Sequence, residues 1–209
     1  KIEFQKKLDL AKNRMYCNYA FYFGATPDNA AELAKLKDLE GCCGIKLFAG
    51  SSTGNLLVQH EEDIEKVFKS SSKVVAVHSE DEEILNMNKK LIKEGDVHSH
   101  PIWRSEECAI SSTRRIVRIA ERYKKKAHIL HVTTKQEIDF LSQHKGNITF
   151  EITPQHLTIY APDCYDMLGT YAQMNPPLRD KSHYDRLWYG VKNNLNDTIG
   201  SDHAPHLKE

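Results

Sequence analysis

Six short runs rich in Val, Ile, Phe and Tyr punctuate the sequence, at residues 16–23, 44–49, 73–78, 127–132, 147–152 and 197–201. Runs of this length and composition read as buried strands. Between them, residues 27–39, 61–70, 80–94, 106–124 and 135–144 carry apolar side chains at helical spacing. In the longest of these, Ile116, Val117, Ile119, Ala120 and Tyr123 follow the 3.6-residue period. Strands that alternate with helices build βα units on a parallel sheet, which is either a barrel or a doubly wound sheet.

The chain has 209 residues, 40% of them hydrophobic, enough for one sizeable core. Lys and Arg total 29, as do Asp and Glu, so the formal net charge is zero. That balance argues against nucleic acid or an anionic membrane surface as the main partner. No apolar run approaches the roughly 18 residues of a transmembrane helix, and Lys1-Ile-Glu-Phe-Gln-Lys-Lys7 does not read as a signal peptide. Five cysteines without a CxxC pair suit a reducing cytosol. No dinucleotide or P-loop fingerprint follows any strand. Gly50-Ser-Ser-Thr-Gly54 has the composition of a phosphate cradle, but its spacing fits neither fingerprint.

The histidine count of 11 is high for this length and directs attention to metal. In a parallel α/β protein the ligand site lies at the C-terminal ends of the strands. Lys46 interrupts the run GIKLF, His78 closes VVAVH, His131 closes HILH, and Asp202 follows TIGS. Two imidazoles and a carboxylate suit zinc or a similar divalent ion. A desolvated lysine has a lowered pKa, and its neutral amine can take up carbon dioxide as a carbamate, which then serves as a carboxylate ligand. Each residue alone has an ordinary structural use; four in register at four strand ends carry the argument.

Gly200-Ser-Asp-His-Ala-Pro-His206 resembles a signature of the dihydroorotases, and Asn175-Pro-Pro-Leu-Arg179 resembles another of their segments. Residues 44–55, 77–80, 100–107, 130–133 and 151–157 follow the order of their counterparts, so the likeness covers essentially the whole chain. The resemblance implies an α/β fold, a (β/α)8 TIM-type barrel of the amidohydrolase kind, with a binuclear zinc centre at its C-terminal face. By motif, Lys46 corresponds to an N6-carboxylated lysine bridging two zinc ions. His78 and His131 correspond to ligands of one metal, and Asp202 to a ligand of the other that also shuttles the proton. Asn175 and His206 correspond to substrate-binding residues. The implied reaction interconverts dihydroorotate and N-carbamoyl-L-aspartate in pyrimidine synthesis, in the cytoplasm. Its partner is a small molecule, with neither nucleic acid nor membrane involved. A homo-oligomer or an association with another pyrimidine-pathway enzyme stays open.

Three departures qualify the likeness. The family's first strand carries an HxH pair that supplies two metal ligands, and no such strand is found here. His98-Ser-His100 matches in letters only, since no apolar strand leads into it and Pro101 follows. Gln155 stands where many relatives have histidine. Residues 1–209 therefore read as one incomplete catalytic barrel domain of about six of the usual eight strands, with one metal under-coordinated. A fragment of a longer enzyme, an incompletely recorded chain and a naturally shortened relative all fit. Allantoinase, dihydropyrimidinase and a non-catalytic dihydroorotase-like scaffold are the competing functions.

Overall fold

The structure is a computed structural model that describes residues 2–51 and 55–204. Helix α1 (Ile2–Ala11) precedes strand β1 (Phe21–Gly24). The chain continues through α2 (Ala30–Leu33), β2 (Cys42–Phe48), α3 (Glu61–Ser70), β3 (Val75–His78), α4 (Glu82–Asn88), α5 (His100–Trp103) and α6 (Glu106–Arg122). It ends with β4 (Ala127–Ile129), α7 (Lys135–Leu141), β5 (Ile148–Ile152), α8 (Asp163–Leu168), α9 (Lys181–Lys192) and β6 (Thr198–Ile199).

The six strands form one parallel sheet in the order β1-β2-β3-β4-β5-β6. A doubly wound sheet reverses its strand order at a switch point. This sheet never does, so of the two architectures open to the sequence it has the barrel topology, with six strands of wall.

Side-chain alternation divides the wall into two chemically distinct faces. Ile45, Leu47, Val75, Val77, Ala127, Ile129, Ile148, Phe150 and Ile152 are buried in the main core. They meet Ile64, Val67 and Phe68 of α3, Ile116, Val117, Ile119 and Ala120 of α6, and Ile138 and Leu141 of α7. The intervening residues belong to the other face of the strands, and many of these are polar: Lys46, His78, His128, Thr149 and Glu151. Period-2 alternation thus packs helices outside and leaves functional groups inside.

Helix starts are fixed by side-chain caps that sit a constant distance past the strand-end histidines. Asp81 accepts from the Glu83 and Ile84 backbone N–H groups, three residues after His78. Thr134, three residues after His131, forms a capping box with Glu137 at the start of α7. Losing such a cap costs about 1 kcal/mol. Thr134→Ala is therefore expected to lower the melting temperature by roughly 2–4 °C, as read by a circular dichroism melt.

Several boundaries differ from the sequence expectation. The run at 16–23 pairs only over Phe21–Gly24, and that at 197–201 only over Thr198–Ile199. Residues 27–39 split into α2 and a 3-10 turn (Ala34–Leu36), and residues 80–94 shorten to α4 plus a 3-10 turn (Lys89–Leu91). The second change has a direct cause, because Glu80 is fully buried as a polar partner and Asp81 is the cap. His98-Ser-His100 lies in a 3-10 turn running into α5, not in a strand. All five cysteines are free. Among the described residues no helix is long and apolar enough to cross a membrane.

Candidate metal and substrate site

Strand register sets Lys46 and His78 side by side. Lys46 pairs with Ala76 and Phe48 with His78 across β2 and β3, which places Lys46, Phe48 and His78 on the same face. The Lys46 Nζ sits 4.5 Å from the centroid of the Phe48 ring, and that ring lies 5.9 Å from His78. Burial draws the Lys46 ammonium down to about 8, against an upward pull from the Asp202 and Glu151 carboxylates.

His78 and His131 meet directly, with His78 Nδ1 3.1 Å from His131 Nε2 and the two rings near perpendicular. His78 Nε2 donates to Glu80 Oε2 at 2.6 Å, so in the neutral ring the Nδ1 lone pair faces His131. Two nitrogens at zinc–nitrogen bond length around a tetrahedral centre stand about 3.3 Å apart, close to the observed spacing. The His131 Nδ1 is buried without a hydrogen-bond partner. Its imidazole is held well below the usual range by burial first, then by His78 and Lys46, so it is neutral and able to ligate. The donor set therefore fits a divalent cation.

Behind this pair lies a buried ionic bridge. Glu80 accepts from Arg104 Nε at 3.1 Å and from the Arg104 Nη2 as well. Burial pushes the Glu80 carboxyl up, but His78 and Arg104 outweigh it and hold it at about 2. A carboxylate on the far nitrogen of a ligating histidine fixes its tautomer and orientation. The arrangement is a carboxylate–histidine pair backed by a guanidinium.

The two remaining strand-end positions are backbone-strained. His131 has φ +39° and Asp202 has φ +46°. Non-glycine residues held there cost on the order of 1–3 kcal/mol each, and such positions cluster at functional sites. Asp202 is exposed just beyond β6, and its charge is felt at Lys46. Gly200 allows this close passage: a Cβ there would lie 2.3 Å from Glu151 Oε2. Glu151 itself accepts from the His131 backbone N–H at 3.3 Å and faces His128 Nε2 at 3.4 Å.

Asn175 is exposed on the loop before α9, and its two neighbours are pinned. His100 Nε2 donates to the Met174 carbonyl at 2.9 Å and His156 Nε2 to the Pro176 carbonyl at 3.2 Å. His156 Nδ1 in turn accepts from Thr153 Oγ1 at 2.6 Å. His206 lies outside the described residues. So do positions 52–54 of the glycine-rich 50–54 segment. Of the described part, the Ser51 N–H already donates to the Glu82 carboxylate, and a Cβ at Gly50 would lie 2.4 Å from the Glu80 carbonyl oxygen.

Burial pulls the His156 imidazole down from 6.5 to about 4. A histidine that resists protonation when folded binds fewer protons than in the unfolded chain, so stability falls as pH drops from about 6.5 towards about 4. Urea melts at pH 7 and pH 4.5 are expected to show this loss. His156→Gln, which cannot take the proton, is expected to flatten it.

A second cluster has ligand-type atoms but the wrong protonation. Glu106, Asp180 and His183 bring such atoms within 4.8 Å of one another. His183 Nδ1 accepts the Lys135 backbone N–H at 3.0 Å, which leaves the ring proton on Nε2, 2.9 Å from Glu106. With that proton in place, the His183 ring offers no lone pair to a cation there, and only the two carboxylates could. The cluster ties α6, α7 and α9 together.

Sequence reading missed the buried charges Glu80, Arg104 and Arg179, together with Glu151 and His156. Arg179 closes the NPPLR segment, yet it donates inward to the carbonyls of Arg104 and Ser105 and to Thr133 Oγ1. The available signal was position: Glu80 lies two residues past His78, and Arg104 opens the turn into the longest helix.

The polar-lined parallel β/α wall, with lysine and histidines at its strand ends, has the architecture of a partial amidohydrolase-type barrel. No family model matches the chain. It is 31% identical to the dihydroorotase of Methanosarcina mazei, over 98% of this chain and 47% of that protein. It is 27% identical to the L-hydantoinase of Paenarthrobacter aurescens, over 99% of this chain and 47% of that protein. The solved L-hydantoinase from Arthrobacter aurescens superposes with a TM-score of 0.88 at 25% identity, covering 96% of this chain and 46% of that one. The chain belongs to the dihydroorotase-like amidohydrolases. It spans about half the length of the curated relatives it matches.

Proposed function

We propose that this chain carries the metal and substrate site of a zinc-dependent cyclic amidohydrolase, in one barrel domain over residues 1–209, acting on dihydroorotate and N-carbamoyl-L-aspartate. The observation that carries the reading is the facing of His78 Nδ1 and His131 Nε2 beside a desolvated lysine at the strand ends. Bound zinc ions would polarise the ring carbonyl and lower the pKa of water.

The chain's own residues supply the rest. Neutral Lys46 could add to carbon dioxide with loss of one proton, and the resulting carbamate would offer a carboxylate to bound metal. His78 and His131 would hold one zinc ion, with Glu80 fixing the His78 ring. Asp202 would hold the second. In the hydrolytic direction its carboxylate takes a proton from the attacking water and delivers it to the departing ring nitrogen. Asn175 and, by motif, His206 would hold the substrate, His206 being the proposed partner of its carboxylate. Pyrimidine synthesis in the cytoplasm, with a small-molecule partner and neither nucleic acid nor membrane, belongs to the same reading.

A second reading has an observation behind it. The L-hydantoinase superposition supports a substrate ring without the carboxylate, as in dihydropyrimidinase-type reactions. Turnover of L-dihydroorotate, dihydrouracil, hydantoin and allantoin by the zinc-loaded, full-length protein separates the two. Ring opening of dihydroorotate in preference to the others is expected. Preference for dihydrouracil or hydantoin would replace the leading reading with the second. Zinc binding with no turnover at all would favour a scaffold.

A further inference from the structure

The segment between β3 and α6 touches both halves of the site. On one side, Arg104 grips Glu80 with two nitrogens, and Glu80 holds His78. On the other, His100 donates to the Met174 carbonyl, next to Asn175. Arg179, four residues past Asn175, donates back to the carbonyls of Arg104, Ser105 and Pro101. The segment is itself anchored. Asn88 Nδ2 donates to the Trp103 carbonyl at 3.1 Å, the Trp103 ring stacks 4.9 Å from the Arg104 guanidinium, and Ser99, His100 and Arg104 are all buried.

We propose that residues 100–105 form a two-sided brace in which Arg104 is a positioning residue for the metal ligand His78 and His100 is a positioning residue for the substrate loop at Asn175. The proposal rests on the functional reading above. Its logic is geometric. Arg104 never reaches the metal side except through Glu80, and its planar fork sets the carboxylate plane that receives the His78 Nε2–H. His100 makes no hydrogen bond to Glu80 and feels it only as a nearby charge, so the hydrogen-bonded arms are separable by substitution. The brace also explains why two buried charges are kept in the interior, where an unpaired one would be costly.

The test uses Arg104→Lys, Glu80→Gln and His100→Asn in the full-length protein, each first verified as folded by its melting curve. Zinc affinity is measured by chelator competition, and the His78 ring tautomer by imidazole nitrogen NMR on the metal-free protein. Loop order is measured by hydrogen exchange over residues 172–180, and KM and kcat are measured on dihydroorotate. Arg104→Lys and Glu80→Gln are expected to weaken zinc binding by about 10–100-fold and to release the His78 proton from Nε2. His100→Asn is expected to leave zinc affinity within about twofold of the parent, speed exchange over 172–180 and raise KM more than it lowers kcat. A merely structural role would move both sides together in all three variants, and that result overturns the brace. So does an unchanged tautomer and zinc affinity in folded Arg104→Lys and Glu80→Gln. If the parent protein fails to turn over dihydroorotate, the functional reading falls, while the tautomer and exchange measurements still decide the brace.

Discussion

Replacing Lys46 by alanine is expected to remove at least about 1,000-fold of kcat for ring hydrolysis and most of the bound zinc. The size follows from charge. In the proposed function a carbamate at this position would supply the anionic ligand shared by two dications, and electrostatic stabilisation of that kind is worth several kcal/mol, with each 1.36 kcal/mol worth tenfold in rate. An imidazole ligand brings no negative charge to a metal, and the described neighbours Glu80 and Glu151 are turned elsewhere: Glu80 to Arg104 and His78, Glu151 to the His131 backbone and His128. Asp202, the other described carboxylate whose charge is felt at Lys46, is already committed to the second metal in this reading. Lys46→Arg is expected to be equally inactive, since a guanidinium does not form a carbamate at neutral pH. Adding a small carboxylate such as acetate to Lys46→Ala is expected to restore part of the zinc content and part of the rate. Retention of parental activity in Lys46→Ala, with no added carboxylate, would refute the bridging role.

The largest loss of stability is expected from Phe150→Ala. Phe150 is 1% exposed on the helix-facing side of β5, within the main core. Its backbone N–H also donates to Asp197 Oδ2 at 3.0 Å, so the strand cannot shift freely to close the gap. Deleting a buried phenyl ring costs about 3–5 kcal/mol through lost transfer energy plus a residual cavity. For a chain of this size that lowers the melting temperature by roughly 10 °C. A calorimetric scan against the parent protein measures it. A shift under about 3 °C would mean that the core repacks around the void.

Sequence periodicity reached the wall of the barrel because the wall obeys simple rules. Ile45, Leu47, Val75, Val77, Ile129 and Phe150 alternate with inward polar residues, and the eye reads the breaks in an apolar run as Lys46 and His78. The helix Lys181–Lys192 was invisible to the same reasoning. The residues it buries are His183, Leu187 and Gly190, so a ring nitrogen and a bare backbone stand where an apolar stripe would show. A Cβ at Gly190 would stand 3.5 Å from Ile138, an ordinary contact, so the packing there does not demand glycine. Glu80, Arg104 and Arg179 were unreadable for a related reason. A charged letter in a sequence signals water unless its partner is known, and here the partners lie 24 and 75 residues away. The 98–100 segment shows the converse, since two histidines at ligand spacing turn out to face Asp166 and Met174.

The strand order has one more implication, for synthesis. Among the described residues, each strand bonds only to the described strands before and after it in the sequence. None of these six must wait for another far downstream, so this part of the wall can be laid down course by course as the chain leaves the ribosome. Stalled nascent chains ending after β4 should then already protect the β2–β3 amides from exchange, whereas a sheet that required β6 to register its first strands would leave them open.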